Sequence, residues 1–297
     1  MDFKNGAELI LLCDTYGCPV SEIMKHRECS QTDTTREALD ERMKQVLTIM
    51  KNAASEPIQR PRPSMGGLIG GGAGLVERHL REGKSICGGL LSRAISYAMA
   101  VLEINSSMGL IVAAPTAGSS GVVPGVLLAL SEEHDLPDSA ILPALYNASA
   151  IGYLAMRNAT VSGAVGGCQA EVGVASAMAA SAAVELMGGT PAQCLESAST
   201  ALMNLLGLVC DPVGGLVEYP CQNRNAIGAA NALTSAELAL SGVRQLIPFD
   251  EMLAAMYNVG RRLSPDFRET AMGGCAVTPS GCAACGGVPG VGSGRFC

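Results

Sequence analysis

Apolar residues return along most of this chain at helical spacing. Over residues 35–50 they fall at Leu39, Met43, Val46, Leu47 and Met50, which is one face of a helix. Residues 6–55 as a whole read as helices. A basic, proline-rich turn over 57–63 and the stretch SMGGLIGGGAG then interrupt the rhythm, because proline cannot continue a helix and glycine loosens the backbone. From residue 85 onward, helix-length apolar segments alternate with loops: 86–105, 124–133, 140–160, 171–187, 191–208, 223–241 and 248–262. Pro191 and Pro248 stand where a first helical turn tolerates proline. Period-two alternation is scarce, and β-rich runs such as 109–113 are short. The expectation is a mostly α fold, one domain over 1–297. It comprises a helical N-terminal part (1–55), an irregular connector (56–84), a helical core (85–272) and a Gly/Cys tail (273–297). The Ala-rich segment 171–187 is expected to be buried at the centre, with long Gly-rich functional loops around it.

Composition sharpens this. Hydrophobic residues make up 48% of the chain but aromatics only 3%, so the core is built from Ala, Leu, Val, Ile and Met. The net charge of −7, the lack of a basic block and the scarcity of aromatics to stack on bases argue against a nucleic-acid partner. The opening MDFKNGAELILLCDTYG lacks a basic start and a small-residue cleavage site. The longest uncharged stretch, 105–131, is broken by PTAGSSG and Pro124, and reads as buried loop and helix rather than a membrane span. A soluble, cytoplasmic protein without a membrane partner is expected. The last lysine is Lys84 and the three histidines are His26, His79 and His134. The glycine-rich remainder therefore cannot form a Schiff base with pyridoxal phosphate, nor supply the lysine of a P-loop.

Cysteine is what remains. Cys168 in GAVGGCQAEVG, Cys210 in GLVCDPVGG and Cys221 in EYPCQNRN form C-x41-C-x10-C, each in a Gly/Pro break between apolar runs. In a reducing compartment such thiols more often hold metal than form disulfides. Three thiolates leave a position open for chemistry, and thiolate-only ligation favours zinc or an iron–sulfur cluster. The flanking glycines and prolines leave amides free to point at sulfur. The plainer reading is three buried small hydrophobes. Residues 116–121 add hydroxyls at Thr116, Ser119 and Ser120 and amides at Gly118 and Gly121, just before a helix near Pro124. Such a nest suits a carboxylate or phosphate, and equally it suits simple N-capping.

APTAGSSGVVPG, GAVGGCQAEVG, CDPVGGLVEYPCQNRN and FRETAMGGCAVTPSG, in that order, resemble the α subunit of the iron–sulfur-dependent L-serine dehydratases over essentially the whole chain. The resemblance implies a mostly helical catalytic domain and an oxygen-sensitive [4Fe-4S] cluster on Cys168, Cys210 and Cys221, with one iron open as a Lewis acid toward the hydroxyl of L-serine. It implies dehydration and deamination to pyruvate and ammonia. Residues 116–121 would hold the substrate carboxylate, aided by Arg224, whose plainer reading is a helix-surface charge. The family's SHT-x-GP motif, which carries the proposed base, is absent here. Either a separate β chain completes the site, or His79 or His134 substitutes, and an oligomer is expected. Rival readings are a related L-cysteine desulfidase and a non-catalytic zinc-binding subunit. Some members place a C-terminal cysteine on the open iron, and Cys297 is positioned for that as a displaceable fourth ligand. Cys275, Cys282, Cys285 and Cys297 read alternatively as a zinc knot, C-x6-C-x2-C-x11-C, or as an unstructured tail.

Overall fold

Capping side chains stand where the apolar rhythm breaks. In the computed structural model, which describes residues 1–285, α1 (Gly6–Tyr16) begins at Asn5, whose side chain accepts the Glu8 amide. It stops at Gly17 in the left-handed region. Then follow α2 (Val20–Thr32), α3 (Arg36–Gln59), α4 (Gly72–Arg81), α5 (Gly88–Ser106), α6 (Val122–Glu133) and α7 (Asp138–Asn158). A single turn, α8 (Gly163–Gly166), leads through a π-helical turn (Gln169–Gly173) into α9 (Val174–Leu186). The series closes with α10 (Pro191–Asn204), α11 (Cys221–Leu240), α12 (Phe249–Arg262) and α13 (Pro279–Cys285). Among the described residues there is no strand, only an isolated parallel bridge pairing Cys210 with Arg268. The chain is mostly α, as its pattern predicts.

The core is organised around α9. Every residue from Val174 to Val184 is buried, and α6, α7, α10 and α11 all pack against the helix. A helix apolar on all sides has to be enclosed, and here alanine lets four neighbours come close. Its two buried hydroxyls are satisfied, Ser176 donating to Gly228 O (2.9 Å) and Ser181 to Asn147 Oδ1 (2.6 Å). Where α5 and α6 touch, backbone meets backbone. A Cβ on Gly121 would collide with the Ala98 carbonyl oxygen, and one on Gly125 would lie 2.8 Å from Ala94 O. By length and composition α7 could cross a membrane, but it is packed against α2 and α9 within the core.

Two expectations need correction. The connector over 56–84 is not irregular throughout: α3 runs on past Pro57 to Gln59, and α4 forms within the segment. Its glycine amides are held by carboxylates remote in sequence. Glu218 accepts the amides of Gly66 (2.6 Å) and Leu68 (3.0 Å) and the Ser64 hydroxyl (2.5 Å). Glu103 accepts those of Gly71 and Ala73, both at 3.0 Å, and the Gln222 amide at 2.8 Å. Both carboxylates are buried, and Glu103 sits at the positive N-terminal end of α4. The tail is also folded as far as residue 285. A 3-10 turn (Gly274–Val277) and α13 pack beside the 3-10 turn Val213–Gly215, with the Cys275 amide donating to the buried Asp211 (2.6 Å).

Candidate metal centre

The π-helical turn carries Glu171 back toward Cys168, and this close approach requires glycine around it. A Cβ on Gly163 would collide with Glu171 Oε2 and lie 3.2 Å from Cys210 Sγ. Gly167 adopts φ +75°, and a Cβ there would lie 2.9 Å from Leu208 O. Buried Gln169 fixes the turn. Its Nε2 donates to Gly166 O (2.9 Å) and Met256 O (3.1 Å), and its Oε1 accepts the Gly207 amide (2.8 Å). π-Helical turns recur at functional sites because they re-aim side chains out of ordinary helical register.

Cys210 enters from another segment, its amide donating to Phe267 O (2.9 Å) and its carbonyl accepting the Glu269 amide (2.8 Å). The sulfurs of Cys168 and Cys210 and a Glu171 carboxylate oxygen all lie within 4.8 Å of one another. The Cys210 sulfur stands 3.9 Å from Glu171 Oε2, and Thr116 Oγ1 donates to Glu171 Oε1 at 2.8 Å. Cys221 is the first residue of α11, buried, and close enough for its thiol to feel the charges of Cys168, Glu171 and Asp211. The three cysteines singled out by spacing thus meet in one region.

The electrostatics follow from the contacts. The hydrogen bond from Cys210, helped by the positive charge of Arg224, holds the Cys168 thiol below its ordinary pKa despite burial. Cys210 is pushed up, because it donates to Cys168 and is itself buried; Cys221 is pushed up by burial and by the charge on Cys168. Burial also raises Glu171, with the Thr116 hydrogen bond opposing. A soft cation here would favour the ionised form of all three thiols. Two sulfurs and a carboxylate converging over a glycine floor that a Cβ would fill are a donor set suited to a thiolate-bound metal or cluster.

Arg224 is not a surface charge. Its Nη1 donates to Val209 O (2.7 Å) and its Nη2 pairs with Asp211 Oδ1 (2.5 Å), so its positive charge is held on both flanks of Cys210 and close enough to act on Cys168. In the loop before α6, Thr116 is the side chain that reaches the centre. Ser119 and Ser120 are fully buried, donating to Ala114 O (3.3 Å) and Ala117 O (2.7 Å). The expectation of a free amide at Gly121 fails, since that N–H donates to Asn225 Oδ1 at 3.0 Å. Nor do the glycines before Cys168 leave amides for sulfur: those of Gly166 and Gly167 bond the carbonyls of Ser162 and Gly163.

Sequence reading missed Glu171 and Asn225. Asn225 Nδ2 donates to Gly118 O (2.8 Å) and Cys221 O (2.9 Å), tying the loop to the third cysteine. The signal for Glu171 was its position three residues after Cys168. His79 lies exposed on the last turn of α4 and His134 exposed at the end of α6; neither makes a hydrogen bond to the cysteines or to Glu171. Cys275 is half-buried beside Asp211 and Cys285 is buried, while the Cys282 thiol donates toward Ala276 O at 3.9 Å. Cys297 lies outside the described residues.

Residues 15–276 match the family described as serine dehydratase alpha chain. The chain is 45% identical over 279 residues to the probable L-serine dehydratase, alpha chain, of Bacillus subtilis (strain 168), covering 94% of this chain and 93% of that one. It is 42% identical over 278 residues to the L-serine dehydratase, alpha chain, of Peptoniphilus asaccharolyticus, with 94% and 95% covered. L-serine dehydratase TdcG of Escherichia coli (strain K12) is 33% identical over 282 residues, which span 93% of this chain but 62% of that protein.

Proposed function

Because the chain belongs to the serine dehydratase alpha-chain family, we propose that it is the cluster-bearing subunit of a cytoplasmic lyase that converts L-serine to pyruvate and ammonia. The observation that carries the reading is the convergence of Cys168, Cys210 and Glu171 within 4.8 Å, with Cys221 opening the adjacent helix. We assign Cys168, Cys210 and Cys221 as the thiolates that hold a [4Fe-4S] cluster, with Cys297 as a fourth ligand that substrate displaces. When bound, such a cluster with one iron not held by the three thiolates supplies Lewis acidity toward the substrate hydroxyl.

The chain's own residues define the surroundings. Thr116 bridges the loop to Glu171, and on this reading its hydroxyl and the 116–118 backbone form the edge that orients the carboxylate of serine. Ser119, Ser120, Gly121 and Asn225 hold that loop from behind, so their contribution is its shape. Arg224 grips both flanks of Cys210 and offsets thiolate charge, a positioning role that leaves carboxylate capture to the loop. The α-proton needs a base, and no histidine stands at the centre. The longer relative TdcG extends well beyond the length matched here, whereas the alpha chains are matched nearly end to end. This supports a base delivered by a separate beta chain.

Anaerobic purification with iron, sulfide and zinc analysis tests the reading. About four irons and four sulfides per chain, with a colour bleached by air and lost in Cys168→Ser, are expected. Kinetics on L-serine and L-cysteine then separate dehydratase from desulfidase. Zinc without sulfide in protein never exposed to oxygen would overturn the cluster assignment.

A further inference from the structure

Between α5 and the loop that carries Thr116 runs the short β-rich segment GLIVA, residues 109–113. It takes up no helix or strand, and no main-chain N–H or C=O of residues 110–113 makes a hydrogen bond among the described residues. Four consecutive apolar residues with unpaired backbone are unusual at a protein surface, where loops are ordinarily polar or turn-rich. Ile111 and Val112 lean on the core, but Leu110 is 71% exposed and Ala113 is exposed as well. Met108, 77% exposed, adjoins it, and Met65, 62% exposed, is tied alongside by its amide bond to Ser106 O (2.9 Å). Gly109 makes the tight exit from α5 possible, since a Cβ there would lie 2.7 Å from the Ile104 side chain.

We propose that residues 110–113 are the docking strand for the separate beta chain, which adds one of its own strands along this segment. The inference rests on the two-chain reading above. A row of free donors and acceptors is matched by another backbone, and the exposed Met65, Met108 and Leu110 supply the apolar cover that strand addition uses for side-chain pockets. Placement favours the beta chain over other occupants. Three residues beyond Ala113 stands Thr116, bonded to Glu171 at the sulfur centre. A strand seated on 110–113 therefore brings its parent chain to the mouth of a site where, among the described residues, no histidine stands.

The full-length chain and its cognate beta chain, co-expressed without oxygen, provide the test. Successive strand residues turn their N–H groups to opposite edges, so 110 and 113 address different edges. Both residues are exposed and neither amide is bonded within the chain, so Leu110→Pro and Ala113→Pro should leave the helical circular dichroism unchanged. One of the two should weaken association with the beta chain by about tenfold or more, while the other binds normally. Equal loss in both, or no loss in either, overturns the proposal. Hydrogen–deuterium exchange on the wild-type pair gives an independent readout: alternate amides of 110–113 should slow on complex formation, and unchanged exchange there would also refute it. Full L-serine turnover by the chain alone would instead sink the two-chain reading. A wild-type pair that associates while neither proline variant weakens it would sink only the docking strand.

Discussion

A carboxylate three residues past a cysteine does more here than its sequence context suggests. Glu171 holds Thr116 through one oxygen and faces Cys210 with the other, so it couples the loop to the sulfurs. Glu171→Ala is expected to lower L-serine turnover or iron retention by about 10–100-fold with the helical content preserved; kinetics and metal analysis on one preparation check it. A second buried glutamate gives a pH signature. Glu185 accepts the Ser21 amide (3.2 Å) and the Asn147 amide (2.6 Å), and burial raises its pKa above the ordinary 4.5. Below that value both folded and unfolded chains are protonated and nothing is lost. As pH rises through it the unfolded chain ionises first, so stability falls until the raised folded pKa is passed. Glu185→Gln should therefore gain stability relative to wild type as pH rises above the ordinary carboxylate value of 4.5, read from urea midpoints. Cys168, Cys210 and Cys221 were legible because each interrupts an apolar run in a Gly/Pro break. Glu171 was hidden because it opens an Ala-rich run whose outline reads as core.

At the level of elements, apolar periodicity located α5, α6, α7 and α9 to α12 to within a few residues, since each buries a continuous face, and it passed over the single turn α8. It failed at α4 because the cause lies elsewhere in the chain. Glycines over 66–73 read as loose until their amides are seen on Glu103 and Glu218, the latter about 150 residues away. Glu218→Ala removes the acceptor from two amides and a hydroxyl at once. A loss of about 2–4 kcal/mol is expected, together with faster exchange confined to residues 64–73. Global denaturation and local exchange should report it together; a variant as stable as wild type would show the clasp to be incidental.

Across the whole molecule, the centre joins parts of the chain that share little else. The loop before α6, the turn before α9, residues 209–211, the start of α11 and residues 267–269 meet there, and Asp211 extends the junction to Cys275. A group bound at such a junction stabilises the entire fold, because the unfolded chain does not present its ligands together. On the cluster reading proposed above, loss of the cluster in air should lower the thermal midpoint by several degrees, in step with bleaching. The proximity of the Cys168 and Cys210 sulfurs carries a cost once the cluster is gone. One thiol is held toward its ionised, reactive form and the other is its nearest neighbour, so an oxidant that removes two electrons and two protons can join them. On the same reading, repair after oxygen exposure has an obligatory order, thiol reduction before iron delivery, and a protein resupplied with iron alone would stay dark.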